Sequence, residues 1–423
     1  MGSGNPSKEE CEEIQRTGSV RWTICAMLFA ATTINYMDRQ VIAILKPTIQ
    51  HSIGMSEIAY GYVVDAFQLA YAAGLILAGR FVDRVGTRIS YMVVMAVWSL
   101  SAMGHALANT VLEFGVARFC LGLGESGNFP AAIKTVAEWF PQSERSFATG
   151  LFNSGANVGA VLAPLTVPFI AARFGWHAGF LITGIFSALW IVWWFFNYRP
   201  ISNSGSASPA AAAPSRSVPW VQLIGYRQTW AFALGKFLTD PIWWFYLFWL
   251  PSYFTTHYHL DLLHLGLPLI LVYNGSAVGS IGGGWLPVPF RKLGFSPAKA
   301  RLSAMFVCAC AVVPVFFINF THSEWVAIAL LSLAAGAHQG WSANIFSTVS
   351  DMFPGHAVGS VTGIGGMAGS VGGMLIATFA GYVLQFSHNN YASLFAIAAC
   401  AYLVALAVIV ALAPGLRRVE LPA

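Results

Sequence analysis

Apolar residues in this chain run in long unbroken stretches instead of alternating with polar ones. Stretches at roughly 22–45, 58–80, 88–108, 110–133, 145–170, 176–196, 229–252, 264–290, 299–319, 324–349, 357–384 and 391–412 are bounded by charges or turn residues. Each is close to the about 20 residues that a helix needs to cross a hydrocarbon core about 30 Å thick. A run such as LFAIAACAYLVALAVIVALA at 394–413 has no period of two, which speaks against the short alternating segments of a transmembrane β-barrel. The pattern predicts an all-α membrane protein with twelve transmembrane helices.

Composition agrees with lipid as the solvent. Of 423 residues, 57% are hydrophobic and 9% charged, against about 25% charged in soluble domains. Residues 1–21 are polar, and no small-residue cleavage site follows the first apolar run. The first helix is therefore expected to stay, behind a cytoplasmic tail at 1–21. Outside the spans, Lys and Arg from Lys8 to Arg418 fall on one side, with Lys46 and Arg173 on the other. By the positive-inside rule both termini are cytoplasmic. The net charge of +5 is then a topology signal and not one for nucleic acid. Cys25, Cys120, Cys308, Cys310 and Cys400 lie in predicted spans and Cys11 in the tail, which argues against a disulfide or metal framework. No cofactor is called for.

Residues 201–217, ISNSGSASPAAAAPSRS, lack large apolar side chains and read as a flexible linker. The expected organisation is a six-helix bundle over 22–200, a cytoplasmic linker over 201–228, a second bundle over 229–413 and a tail over 414–423. The halves also resemble each other. EWFPQSERSFATGLFNSGANVG (138–159) aligns with DMFPGHAVGSVTGIGGMAGSVG (351–372), so that Gly150 and Gly159 fall on Gly363 and Gly372. Parallel six-span repeats organise the major-facilitator transporters. The segment Gly79-Arg80-Phe81-Val82-Asp83-Arg84-Val85-Gly86-Thr87-Arg88 resembles that superfamily's cytoplasmic signature. Physically, Gly79 permits close helix contact, Asp83 can pair with a base or helix terminus, and Arg84 and Arg88 anchor the loop at the membrane face. The matching region of the second half keeps Gly284, Arg291 and Lys292 but has no acid.

Ionisable residues inside a span are costly unless paired or hydrated, so each is a functional hypothesis. Asp38 and Arg39 are adjacent in the first span, about 100° apart around the helix, and both can border a central cavity without facing each other. Arg118 and Glu125 lie seven residues apart on the fourth span, on one face but too far for a tight local bridge. Each needs a partner elsewhere. Carboxylates and arginines in one cavity point to coupling: a protonated acid releases its arginine, which then binds an anion. Lys236 and Asp240 stand i,i+4 before Pro241, in reach of an intrahelical ion pair. His338, Gln339, Asn344, Asn153, Asn157 and Asn274 can supply donors and acceptors to a polar cargo or hold helices together. Asp65 shares a helix side with Gln68, and its role is open.

Asn35-Tyr36-Met37-Asp38-Arg39 and Arg118-Phe-Cys-Leu-Gly-Leu-Gly-Glu125-Ser-Gly-Asn-Phe-Pro130 resemble the anion:cation symporter branch of the superfamily over nearly the whole chain. The resemblance implies Asp38 and Glu125 as protonation sites, Arg118 as coupler, Arg39 as substrate contact, and Tyr36 and Tyr71 as cavity-lining tyrosines. Lys236-Phe-Leu-Thr-Asp240-Pro-Ile-Trp-Trp-Phe-Tyr-Leu-Phe-Trp-Leu-Pro251 and Ala337-His338-Gln339-Gly-Trp341-Ser-Ala-Asn344-Ile-Phe resemble bacterial hexuronate transporters. That likeness implies Lys236 on the sugar carboxylate, oriented by Asp240, and proton-coupled import across the inner membrane by a monomer whose partners are an organic anion, protons and the bilayer.

Other classes fit less well. Gly122-Leu-Gly-Glu-Ser-Gly127 matches G-x-G-x-x-G, but no strand precedes it, so helix packing is the better reading. Asn319-Phe-Thr321 matches a glycosylation acceptor, a three-residue pattern that decides nothing. A membrane-embedded enzyme would show H-E-x-x-H or G-x-S-x-G, and a channel a filter loop. Within transporters, an aldonate such as galactonate stays the alternative cargo.

Overall fold

The computed structural model describes residues 8–140, 142–198 and 220–420. Long helices dominate, and no strand occurs among the described residues. In chain order the spans are Lys8–Ile53, Glu57–Val85, Thr87–Gly104, Val111–Ser126 continued by Asn128–Trp139, Gln142–Phe174 and Trp176–Asn197, then Arg227–His257, Gly266–Trp285 continued by Pro287–Lys292, Pro297–Val312, Glu324–Met352, Gly355–Phe386 and Ala392–Leu412. A 3₁₀ stretch, Val313–Phe320, carries the ninth span to its end. These are twelve spans in two sets of six, so both ends of the described chain lie on one membrane face. Most of the expected linker, and the outermost parts of both tails, lie outside the described residues. The first helix starts at Lys8, within the segment read as a tail.

Local chemistry sets the turns. Ser56 caps the second span by accepting from the Ala59 amide, and Thr110 forms a capping box with Glu113 ahead of the fourth, each satisfying orphan N–H groups at a helix start. Gly86, at φ +84°, ends the second span and opens the third, a backbone conformation that side chains disfavour.

Among the described residues, six helices are long and apolar enough to cross a membrane by length and composition alone: Thr87–Leu107, Ala148–Phe174, Trp176–Asn197, Pro297–Phe320, Ala357–Phe386 and Ala392–Leu412. Asp38, Arg39, Asp65, Arg118, Glu125, Lys236, Asp240 and His338 all lie on the other six spans. Large apolar side chains such as Phe186, Leu189, Phe196, Val278, Ile281, Leu375 and Phe386 stay exposed, as expected for a surface solvated by lipid.

The halves meet near the face opposite the termini. Tyr60 Oη donates to the Phe248 carbonyl at 3.0 Å, Tyr62 and Tyr382 hydroxyls meet at 2.8 Å, the Ile58 amide reaches Gln385 at 3.5 Å, and Thr378 donates to Asp65. These contacts start within the first nine residues of the second span. Gly61 and Gly381 permit them: a Cβ on Gly61 would press the Ala377 carbonyl, and one on Gly381 the Glu57 carbonyl. Asp65 thus takes a place in the seam between halves.

Candidate functional site

Glycines aim the fourth span. A Cβ on Gly122 would strike the backbone of Phe67 and Tyr71, one on Gly124 would strike Trp98, and one on Gly127 would strike Val94. The helix therefore lies tight against the second and third spans. Glu125, in the last turn before the break at Gly127, is thereby brought to Arg39 of the first span.

Arg39 Nε donates to Glu125 Oε2 at 2.5 Å, with side chains 5% and 0% exposed. The guanidinium lies 4.6 Å from the Tyr71 ring centroid, 5.2 Å from Tyr36, 5.5 Å from Phe67 and 5.9 Å from Trp244 of the second half. Facing aromatic rings stabilise a desolvated cation, by about 2 kcal/mol or more at their best. Glu125 Oε1 has no hydrogen-bond partner among the described residues.

Asp38 turns the other way. Its Oδ2 accepts from Trp98 Nε1 at 2.6 Å and from Ser187 Oγ at 3.1 Å, which fixes the carboxylate between the third and sixth spans, and Oδ1 has no partner among the described residues. Arg118 is 1% exposed, packs 5.7 Å from the Phe67 ring, and none of its three guanidinium nitrogens has a hydrogen-bond partner among the described residues.

The second half holds a largely buried pair within a span. Lys236 Nζ meets Asp240 Oδ2 at 2.7 Å and sits 4.2 Å from the Phe346 ring. Phe346 belongs to Glu324–Met352, as does His338, whose Nδ1 is 2.5 Å from Tyr402 Oη and whose ring stacks on Trp243 at 5.1 Å. Asn344 Nδ2 donates to the carbonyls of Gly283 (2.7 Å) and Gly340 (2.9 Å). Its amide N–H groups are committed to joining the eighth and tenth spans, beside a glycine seam in which Gly279 and Gly283 approach Gly336 and Gly340.

Other expected residues are less buried. Asn153 and Asn274 are exposed, and Asn157 and Gln339 are half-buried. Gly79 does not mediate a close helix contact: a Cβ there would meet nothing within 4 Å. That span makes its close approaches through Gly61 and Gly74 instead, because a glycine matters only where a neighbouring backbone lies over it. Arg84 is exposed, whereas Arg88 donates to the Phe195 carbonyl at 2.9 Å, anchoring the turn to the sixth span. The Asp83 side chain lies outside the described residues. Trp98, Ser187 and Phe67 carry no sequence signal beyond a polar or aromatic group in a span, whereas Trp244 and Phe346 lie within the two stretches that resemble hexuronate transporters.

Two six-helix sets that meet around opposed buried charges make a membrane carrier, with a small organic molecule as its cargo. The chain belongs to the Major Facilitator Superfamily, whose profile matches residues 28–377; it is a transporter and not an enzyme. It is 28% identical to the hexuronate transporter of Escherichia coli over 87% of this chain and 88% of the relative. It is 31% identical to the galacturonate transporter of Dickeya chrysanthemi over 64% and 83%, and 28% identical to a D-galactonate transporter of Escherichia coli over 88% and 90%. Among solved structures, a D-xylose-proton symporter superposes with a TM-score of 0.75 at 16% identity, covering 95% of this chain and 99% of that one. An inward-facing bacterial homologue of the human lysosomal transporter Spinster gives 0.74 at 17% identity, covering 94% and 96%.

Proposed function

We propose that this protein imports hexuronates such as glucuronate and galacturonate together with protons, working as a monomer by alternating access in a bacterial inner membrane. Its termini and the linker between the bundles are cytoplasmic in this reading, in line with the distribution of Lys and Arg. The observation that carries the proposal is the buried Arg39–Glu125 pair. An ionised Glu125 holds Arg39. A proton taken up by Glu125 removes that hold, and the sugar carboxylate takes its place on Arg39, with Lys236 as the contact from the other half. Asp38 is the second proton site and Arg118 the link between the acids. The seam from Ile58 to Asp65 is the outer gate, closed here. Tyr36, Tyr71, Gln339 and His338 complete the lining. Asn153 and Asn157 face the cargo in other stages of the cycle.

Uptake into proteoliposomes under an imposed pH gradient tests this. Accumulation of glucuronate driven by external acid is expected, and uptake indifferent to the gradient would overturn the coupling. Competition by hexuronates against aldonates decides the cargo: preference for galactonate would replace the hexuronate reading.

A further inference from the structure

Gln68 stands on the second span between Phe67 and Tyr71, whose rings lie 5.5 and 4.6 Å from the Arg39 guanidinium. Its side chain is 0% exposed, and neither its amide oxygen nor its amide nitrogen has a hydrogen-bond partner among the described residues. The amide lies against the second half. A Cβ on Gly373 of the eleventh span would come within 3.1 Å of Gln68 Nε2 and 3.2 Å of Trp244 Nε1. Trp244 in turn is half-buried, with its ring 5.9 Å from the same guanidinium. Gln68 thus places an idle amide where the two halves meet, at the edge of the aromatic rings around Arg39.

Buried polar atoms nearly always have a partner, and an amide that lacks one destabilises the fold. Gln40 of the first span is buried and unpartnered in the same way; Gln68 is singled out by its place over Gly373, beside Trp244 and Tyr71. The chemistry of the missing partner follows from the group. A neutral amide with two donors and an acceptor matches hydroxyls, which both donate and accept, better than it matches a carboxylate, which only accepts. We propose that Gln68 is a specificity-determining residue that bonds a ring hydroxyl of the cargo, while the cargo's carboxylate rests on Arg39 and its ring lies beside Trp244. This rests on the reading of the cargo as a hexuronate. An acid without that hydroxyl leaves the amide buried and unpaired in the loaded state, and a site of this kind rejects such an analogue strongly.

The experiment uses the full chain and the variant Gln68→Met, which keeps the unbranched shape and removes the amide. Affinities are read by competition against exchange of labelled D-glucuronate in proteoliposomes, for D-glucuronate and for analogues of it that each lack one ring hydroxyl. Melting in detergent without any acid is followed in parallel. Gln68→Met is expected to melt at or above the temperature of the parent, because a buried unpaired amide is gone, and to bind glucuronate about tenfold or more weakly. One analogue, the one missing the hydroxyl that Gln68 reads, is expected to bind the parent weakly and to lose nothing further in the variant. Gln68→Asn, with the amide on a shorter stem, is expected to show the same selective loss and replaces Gln68→Met should that variant fail to assemble. An equal loss for glucuronate and every analogue would make Gln68 a structural tie between the halves and overturn the proposal. Unchanged affinities would overturn it too, leaving water as the amide's partner. If the parent exchanges neither glucuronate nor galacturonate, the hexuronate reading falls and this proposal with it.

Discussion

Glu125 stands 86 residues after Arg39 in the chain, yet its carboxylate takes the Arg39 Nε–H at 2.5 Å in the interior of the first bundle. In the proposed mechanism the pair is a lock that a proton on one side, or an anion on the other, opens.

Replacing Glu125 by Gln keeps the side-chain size and an acceptor but removes the proposed proton site. Accumulation driven by a pH gradient is expected to vanish, while exchange of labelled for unlabelled substrate across the membrane persists. Equal loss of both activities in the same vesicles would assign Glu125 to structure or direct binding.

Asp38→Asn keeps an oxygen that can accept from Trp98 and Ser187 and is expected to melt close to the parent protein while losing active accumulation. Asp38→Ala leaves the Trp98 N–H without its acceptor, while Ser187 keeps the Thr183 carbonyl; at about 1–3 kcal/mol for the lost partner, it is expected to lower the thermal midpoint in detergent. Identical melting of the two variants would show that those hydrogen bonds contribute little.

The glycine seam between the eighth and tenth spans has no room for a side chain. Gly283→Val is expected to destabilise the protein by about 1–3 kcal/mol through overpacking, because a Cβ there collides with the Gly340 backbone. Gly284→Ala, where a Cβ would meet nothing within 4 Å, serves as the neutral comparison. Thermal unfolding followed by tryptophan fluorescence separates them.

Gly381→Leu places bulk against the backbone of Glu57 and Ile58 and should push the halves apart at the face opposite the termini. In a Tyr62→Cys background, labelling by a membrane-impermeant thiol reagent from that side is expected to rise severalfold. Unchanged labelling would show that this seam is not the closed gate.

Sequence alone determines the helical class, the spans and the residues that carry chemistry. Lipid penalises every charge it surrounds, so Asp38, Arg39, Arg118, Glu125, Lys236 and Asp240 stand out against apolar neighbours wherever the helices are placed. Spacing also determines the Lys236–Asp240 pair, since four residues along one helix bring two side chains together whatever lies around them. Partners on different helices are another matter. That Glu125 meets Arg39 and not Arg118, that Asp38 is held by Trp98 and Ser187, and that Gly61 makes a close contact where Gly79 makes none all depend on the rotation and tilt of whole spans. Those rotations are set by the summed packing of many small contacts across helices, a property of the folded bundle that no local pattern contains.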